Sequence, residues 1–198
     1  MNIETYFKKS KGSWPKKNVA GVESEWMKLG TIEIPTGSLW AGDPWVANAE
    51  DGVVVRVPKG RYMMEAKGMD FKGHRRVSRI RVYREGVKSP TTSKSGKETW
   101  TDVGMIGVCD IRALQRAVSE KFVDEYMNDI QEVTDGAIAN CVPMEYGGKS
   151  FQMAAISSGL GDGSFPVYPL KYRGKTIGME IEFLACGFKL TDDFRIIG

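Results

Sequence analysis

Histidine occurs once in this chain of 198 residues, at His74. An imidazole-based metal site or a Ser-His-Asp arrangement would have to be built around that one residue. It stands in Gly73-His74-Arg75-Arg76, where two neighbouring cations oppose imidazolium formation and metal binding by Coulomb repulsion. The expectation for His74 is a solvent-exposed loop. Cysteine is scarce as well. Cys109, Cys141 and Cys186 are far apart and form no C-x-x-C pair, which argues against a zinc ribbon, a redox motif or a disulfide framework. No apolar run approaches the roughly 20 residues of a membrane-spanning helix. The opening Met1-Asn2-Ile3-Glu4-Thr5-Tyr6-Phe7-Lys8-Lys9 has no apolar stretch of the kind that marks a secretory signal. The expectation is a cytoplasmic, reducing location without membrane association.

Glycine, by contrast, is abundant, with 23 residues, and there are five tryptophans. Glycine costs about 1 kcal/mol relative to alanine inside a helix, so glycines between short apolar runs favour strands joined by tight turns. Apolar content of 41% and charged content of 27% are those of a folded globular chain. A chain of this length buries roughly 70% of its unfolded surface and needs no staples. Charge is unevenly spread. Residues 1–100 carry 19 Lys and Arg against 11 Asp and Glu, and the remainder 9 against 14. That excess of +8 permits an anionic partner for the first half without requiring one. Residues 1–25 read as a basic arm or loosely docked segment, and 26–198 as a single β-rich domain.

Alternation locates the strands. Residues 29–34 and 38–40 flank a Pro35-Thr36-Gly37 turn, and Val53-Val54-Val55-Arg56-Val57 is closed by Pro58-Lys59-Gly60. Residues 62–66 follow. In 77–83, Ile80 and Val82 share one face, with Arg79, Arg81 and Tyr83 on the other. Residues 85–99 read as a mobile loop and 100–108 as one buried strand. The C-terminal third returns to strands at 151–156, 165–172 and 176–183. Between them, Ile111, Leu114, Val118, Phe122, Tyr126, Ile130 and Val133 step by three or four, which predicts an amphipathic helix over about 111–133 with Asp110 as its N-cap. The expected fold is mainly β, an antiparallel sandwich or barrel-like domain with that helix, α+β overall.

Several strings in order resemble one family. They are Ile34-Pro35-Thr36-Gly37-Ser38-Leu39 with Asp43-Pro44, then Val57-Pro58-Lys59-Gly60-Arg61-Tyr62, then Asp102-Val103-Gly104 with Cys109-Asp110. The last is Ser158-Gly159-Leu160-Gly161-Asp162-Gly163-Ser164-Phe165-Pro166-Val167-Tyr168. Their spacing resembles the bacterial family called domain of unknown function 4241, over roughly Leu29 to Phe183. Leu160 stands where that family tends to have Trp, and Phe165 where it tends to have Tyr. The resemblance implies a short cytosolic protein and brings no activity with it.

Two segments are candidates for binding. Ser158, Gly159, Gly161, Asp162 and Gly163 form a turn whose backbone N–H groups suit an anion nest; the same residues also suit a plain tight turn with Asp162 bonded to its own backbone. It is not a dinucleotide fingerprint, because a strand follows it. Arg79 and Arg81 share a face with Tyr83, an arrangement that grips a phosphate or a base; paired with Glu65 or Glu85, the same arginines make a solvated strand face. Trp40 and Trp45 flank Gly42-Asp43-Pro44 and suit either core or pocket. One continuous strand would set Asp102 and Asp110 about 26 Å apart, too far for an acid pair unless the strand breaks at Gly104 or Gly107.

No nucleophile–base pair or metal cluster can be assembled from these residues, so no cofactor and no metal site is expected. The leading expectation is a non-catalytic binding protein, engaging a small anionic ligand such as a nucleotide, or a protein partner. Bacterial and phage immunity or anti-defence factors offer an analogy of architecture only. The alternatives are a hydrolase acting on a phosphorylated or acyl substrate, with Asp162, Asp102 or Glu180 as acid, base or divalent-metal ligand and Ser157 or Ser158 nearby, and a structural or assembly protein. Sequence-specific DNA reading is not expected, because the expected helix carries acidic residues. Oligomeric state is not legible.

Overall fold

The structure, a computed structural model, describes residues 6–7, 19–46, 49–112, 115, 144–145, 152–159, 161–184, 189–190 and 196–197. The described strands begin with β1 (Val19–Ala20), β2 (Val22–Glu23), β3 (Met27–Ile34), β4 (Ser38–Gly42) and β5 (Gly52–Arg56). The two longest, β6 (Gly60–Phe71) and β7 (His74–Arg84), form a hairpin, followed by β8 (Thr91–Thr92), β9 (Lys97–Thr101) and β10 (Met105–Asp110). The last are β11 (Met144–Glu145), β12 (Gln152–Ser157), β13 (Gly163–Tyr172), β14 (Lys175–Glu182), β15 (Lys189–Leu190) and β16 (Ile196–Ile197).

They form three antiparallel sheets. The largest runs β2-β6-β7-β14-β13-β8, with β3 also on the free side of β6 and β9 on that of β13. The second has the order β11-β12-β10-β4-β5, and the third joins β1, β15 and β16. One core fills the space between the two larger sheets. Ile32, Tyr62, Met64, Ile80, Val82 and Ile181 come from one side and Leu39, Ala41, Val53, Val55, Ile106 and Ile156 from the other, all buried. Period-two alternation places these residues inward and their sequence neighbours outward.

Three turns carry the chain from one sheet to the other. They are residues 35–37 between β3 and β4, 102–104 between β9 and β10, and 158–159 with 161–162 between β12 and β13. Buried aspartates hold two corners. Asp110 accepts Thr36 N (2.6 Å) and Thr36 Oγ1 (2.5 Å). Asp43 accepts Trp45 N (2.8 Å), Thr101 Oγ1 (3.1 Å) and Asp102 N (2.8 Å). Carboxylates serve here because each offers several acceptor sites to backbone donors that lack a ladder partner.

The α+β expectation is corrected. The described residues form antiparallel sheets, and no helix is among their elements; helical backbone is described only at Tyr6, Phe7, Ile111, Arg112 and Gln115. Apolar spacing names the face a helix would bury but supplies no contact that holds the helix in place. Of the expected stripe, only Ile111 falls within the described residues, where it is buried. Asp110 is the last residue of a strand, and Thr36 uses both of its oxygens.

Two further readings change. Residues 85–99 include β8 and the start of β9, which pair with β13. Residues 100–108 are not one strand. They break at the 102–104 turn, where Gly104 has φ 65°, a left-handed value that glycine adopts without a Cβ clash. Within 1–25, Tyr6 and Phe7 are buried and Val22–Glu23 pairs with β6.

Candidate functional site

The arginine strand is as expected in its facing, and Arg81 pairs with Glu65 as the solvated-face reading has it, while Arg79 finds other partners. Ile80 and Val82 are buried in the core, and Arg79, Arg81 and Tyr83 point out of the same sheet. Cross-strand register sets Glu182 opposite Arg79, and both Glu180 and Glu65 opposite Arg81. Arg79 bonds Glu23 Oε1 (3.1 Å), Glu180 Oε1 (3.2 Å) and Glu182 Oε2 (2.6 Å). Arg81 bonds Glu65 through both Nε (2.6 Å) and Nη2 (2.5 Å). Trp26 lies under Arg81 at 4.1 Å and Lys67 at 5.3 Å, and Tyr83 is 5.2 Å from Arg81.

Three cations, Lys67, Arg79 and Arg81, therefore meet four carboxylates on this face. An incoming phosphate would have to displace carboxylates that already satisfy the guanidinium forks. Burial pushes the Glu23 carboxyl up, but Lys67, Arg79 and Ser78 outweigh it and hold it below the usual glutamate value. Burial likewise disfavours the charge on Arg79, and Glu182, Glu23 and Glu180 more than restore it.

The glycine turn lies elsewhere. A Cβ on Gly159 would come within 2.6 Å of Val77 O and 3.5 Å of Phe183 Cβ. Ser158 N donates to Gly104 O (3.0 Å), and the Ser158 hydroxyl donates to Gly161 O. Gly159, Gly161 and Gly163 all have positive φ (81°, 112° and 149°). Those values let the chain turn from β12 into β13 against the Gly104 corner. Leu160 lies outside the described residues. Arg79 and Arg81 project from the outward face of the large sheet, so the structure does not bring the two candidate segments into one concavity. Two described clefts are lined by other residues.

The residues considered for hydrolysis are also dispersed. Glu180, buried, accepts from Arg79 and from Thr92 Oγ1 (2.9 Å). Asp110 ends six-residue β10 and Asp102 lies in the turn before it, so the length of that strand, on the order of 20 Å, separates them. Burial, with Asp110 adding to it, pushes the Cys109 thiol well up, away from a thiolate nucleophile. Among the described residues no group of three or more His, Cys, Asp or Glu lies close enough to hold a metal ion.

His74 is corrected: it opens β7 and is only 8% exposed. Arg76 Nε donates to its Nε2 (2.8 Å), which requires a neutral ring with its proton on Nδ1. Burial and then Arg76 push its pKa down to about 4, with Asp70 opposing. The expected resistance to imidazolium formation holds, for a residue inside the protein.

No motif in the sequence marks the cleft beside β5. A groove of about 470 Å³ runs beside β5, lined by residues 53–56, 95–97, Val167, Pro169 and Thr176. That volume suits a small ligand. Among the described lining residues Arg56 and Lys97 carry the formal charges, both are exposed, and none is a carboxylate. Arg56 Nη1 bonds the neutral Ser38 Oγ (2.5 Å), and no described carboxylate forms an ion pair with it. Thr99 Oγ1 donates to Ala41 O (3.0 Å) and fixes β9 against the second sheet. Arg56 and Lys97 are 41 positions apart, and they line one groove because β5 and β9, strands of different sheets, pack near each other. The one local signal was a cation closing a valine run.

A second cleft, of about 630 Å³, is lined by Tyr6, Val19, Val22, Glu23, Asp70 and Lys72 among others. No helix among the described residues is long and apolar enough to cross a membrane. No family model, curated protein or solved structure matches the chain, and none of these comparisons supports the family resemblance drawn from its strings.

Proposed function

We propose that this chain is a non-catalytic binding protein whose anionic ligand sits in the groove beside β5. The observation that carries the reading is the charge pattern of that groove: two cations over valine and proline walls, with no ion pair to a described residue and no carboxylate among the described lining residues. The outward face of β7, which looked cationic in sequence, has four carboxylates for three cations. An anion gains Coulomb energy in the groove and loses contacts on that face. Support for binding over catalysis comes from the dispersed acids and from Ser158, whose hydroxyl proton is committed to a carbonyl instead of a base.

The test is calorimetric titration with ATP, inorganic polyphosphate and acidic peptides, followed by mass spectrometry of the recovered ligand. Saturable binding of at least one anion is expected, weakened about tenfold or more by Arg56→Glu with Lys97→Glu, and the ligand returns unchanged. Turnover of the ligand, or binding indifferent to both substitutions, would overturn the reading.

A further inference from the structure

β5 ends its sheet, and β4 is its strand partner among the described residues. The bond from Val57 N to Gly37 O (3.1 Å) sets the parity of their ladder. Hydrogen-bonded and non-hydrogen-bonded pairs alternate along antiparallel strands. Val55 and Val53 thus turn their backbone groups toward Leu39 and Ala41, their register partners. Gly52, Val54 and Arg56 turn theirs away from β4, along the groove.

Such a row of backbone donors and acceptors is a template for another strand, which natural edges blunt with proline, lysine or a bulge. β5 reads Gly-Val-Val-Val-Arg and pairs with β4 without a register shift, so it carries none of these. The groove runs past Val53 to Arg56 of the strand and is also lined by residues 95–97, Val167 and Pro169.

We infer that the β5 edge receives an extended acidic peptide segment of a partner protein, added to the five-stranded sheet as a further strand. This rests on the binding reading above and names its ligand. A nucleotide would meet Arg56 and Lys97 but leave the outward N–H and C=O groups of Gly52, Val54 and Arg56 without a strand partner. An acidic strand satisfies both, its backbone supplying affinity and its carboxylates matching the two cations.

A fluorescent hexapeptide alternating valine and glutamate, its analogue N-methylated at alternate backbone nitrogens, and ATP are titrated in parallel. The parent peptide is expected to bind saturably, with affinity falling as salt rises. The N-methylated peptide is expected to bind at least about tenfold more weakly, since it lacks the ladder donors. Amide exchange should slow at Val54 and Arg56 on binding and stay unchanged at Val53 and Val55, which β4 already protects. Val54→Pro removes one outward N–H, a change that edge strands tolerate, and should abolish peptide binding. The N-methyl comparison alters no residue of the protein and stands independently of how that variant folds.

Equal affinity for the two peptides, or exchange unaltered at Val54 and Arg56, overturns the strand-addition proposal. ATP binding that depends on Arg56 and Lys97, with no peptide binding, overturns it while leaving the groove reading intact. Failure of every anion removes both. A dimer that Val54→Pro dissolves would show the edge occupied by a second copy, and would also overturn the proposal.

Discussion

An alanine at position 52 would overlap Trp40 Nε1 and bring its Cβ within 2.5 Å of Ala41 O. Leu39 and Ala41 enter the core, so Trp40 projects from the opposite face of β4, where it is fully buried. Its ring also blocks a Cβ on Gly42. The carbonyl belongs to the β4–β5 ladder and cannot move without disturbing it. Gly52→Ala is therefore expected to cost about 1–3 kcal/mol, the range of overpacking, read as a lower urea midpoint at unchanged slope. A neutral result would show that the ring has room to turn. Size alone marked Trp40 as an anchor in the sequence. That it needs glycines beside it follows only from the register that sets Gly52 across from Gly42.

At the scale of the element, strand facing was legible and strand company only in part: Glu65 is an expected partner and pairs with Arg81, but the partners of Arg79 are not expected ones. Alternation from Val77 to Tyr83 sorts inward from outward residues because a strand has period two. The carboxylates that neutralise Arg79 come from Glu23, Glu180 and Glu182, which are 56, 101 and 103 positions away. Nothing local to the strand announces them. The same non-locality hid the groove, whose two cations lie on strands of different sheets. The single-strand reading of 100–108 failed because its apolar alternation continues across Gly104, where the backbone turns a corner.

The buried carboxylates around Arg79 make a specific demand. Arg79→Gln would leave Glu23, Glu180 and Glu182 facing one another, and like charges at close range favour protonation. Breaking a buried pair costs about 3–5 kcal/mol, and partial exposure brings the expectation here to roughly 2 kcal/mol at pH 7. The loss should shrink when unfolding is measured at pH 4.5, because a proton relieves the repulsion in the variant. In the parent protein the sign is opposite. Glu23 is held below its usual value, so its contribution is present above the unfolded pKa and is lost as pH falls through the folded one. A penalty for Arg79→Gln that is equal at both pH values would mean the carboxylates do not interact.

For the whole molecule, acid stability should be governed first by His74, ahead of the carboxylates. Its pKa falls from 6.5 unfolded to about 4 folded, through burial and then Arg76, against the attraction of Asp70. Between those values the unfolded chain binds a proton that the folded chain refuses, so stability rises with pH across the window. The histidine's contribution is complete above about 6.5 and is withdrawn progressively as pH falls toward 4. One pK unit corresponds to about 1.4 kcal/mol, so the full withdrawal is on the order of 3 kcal/mol. Glutamine at position 74 keeps an acceptor within reach of Arg76 Nε but cannot titrate. His74→Gln should therefore flatten the profile between pH 6.5 and 5 and leave the steeper carboxylate limb below it. Chemical denaturation at half-unit steps of pH reads this directly. If parent and variant lose stability in parallel across that interval, His74 is not the residue that takes up the proton, and its bond from Arg76 does not hold it neutral.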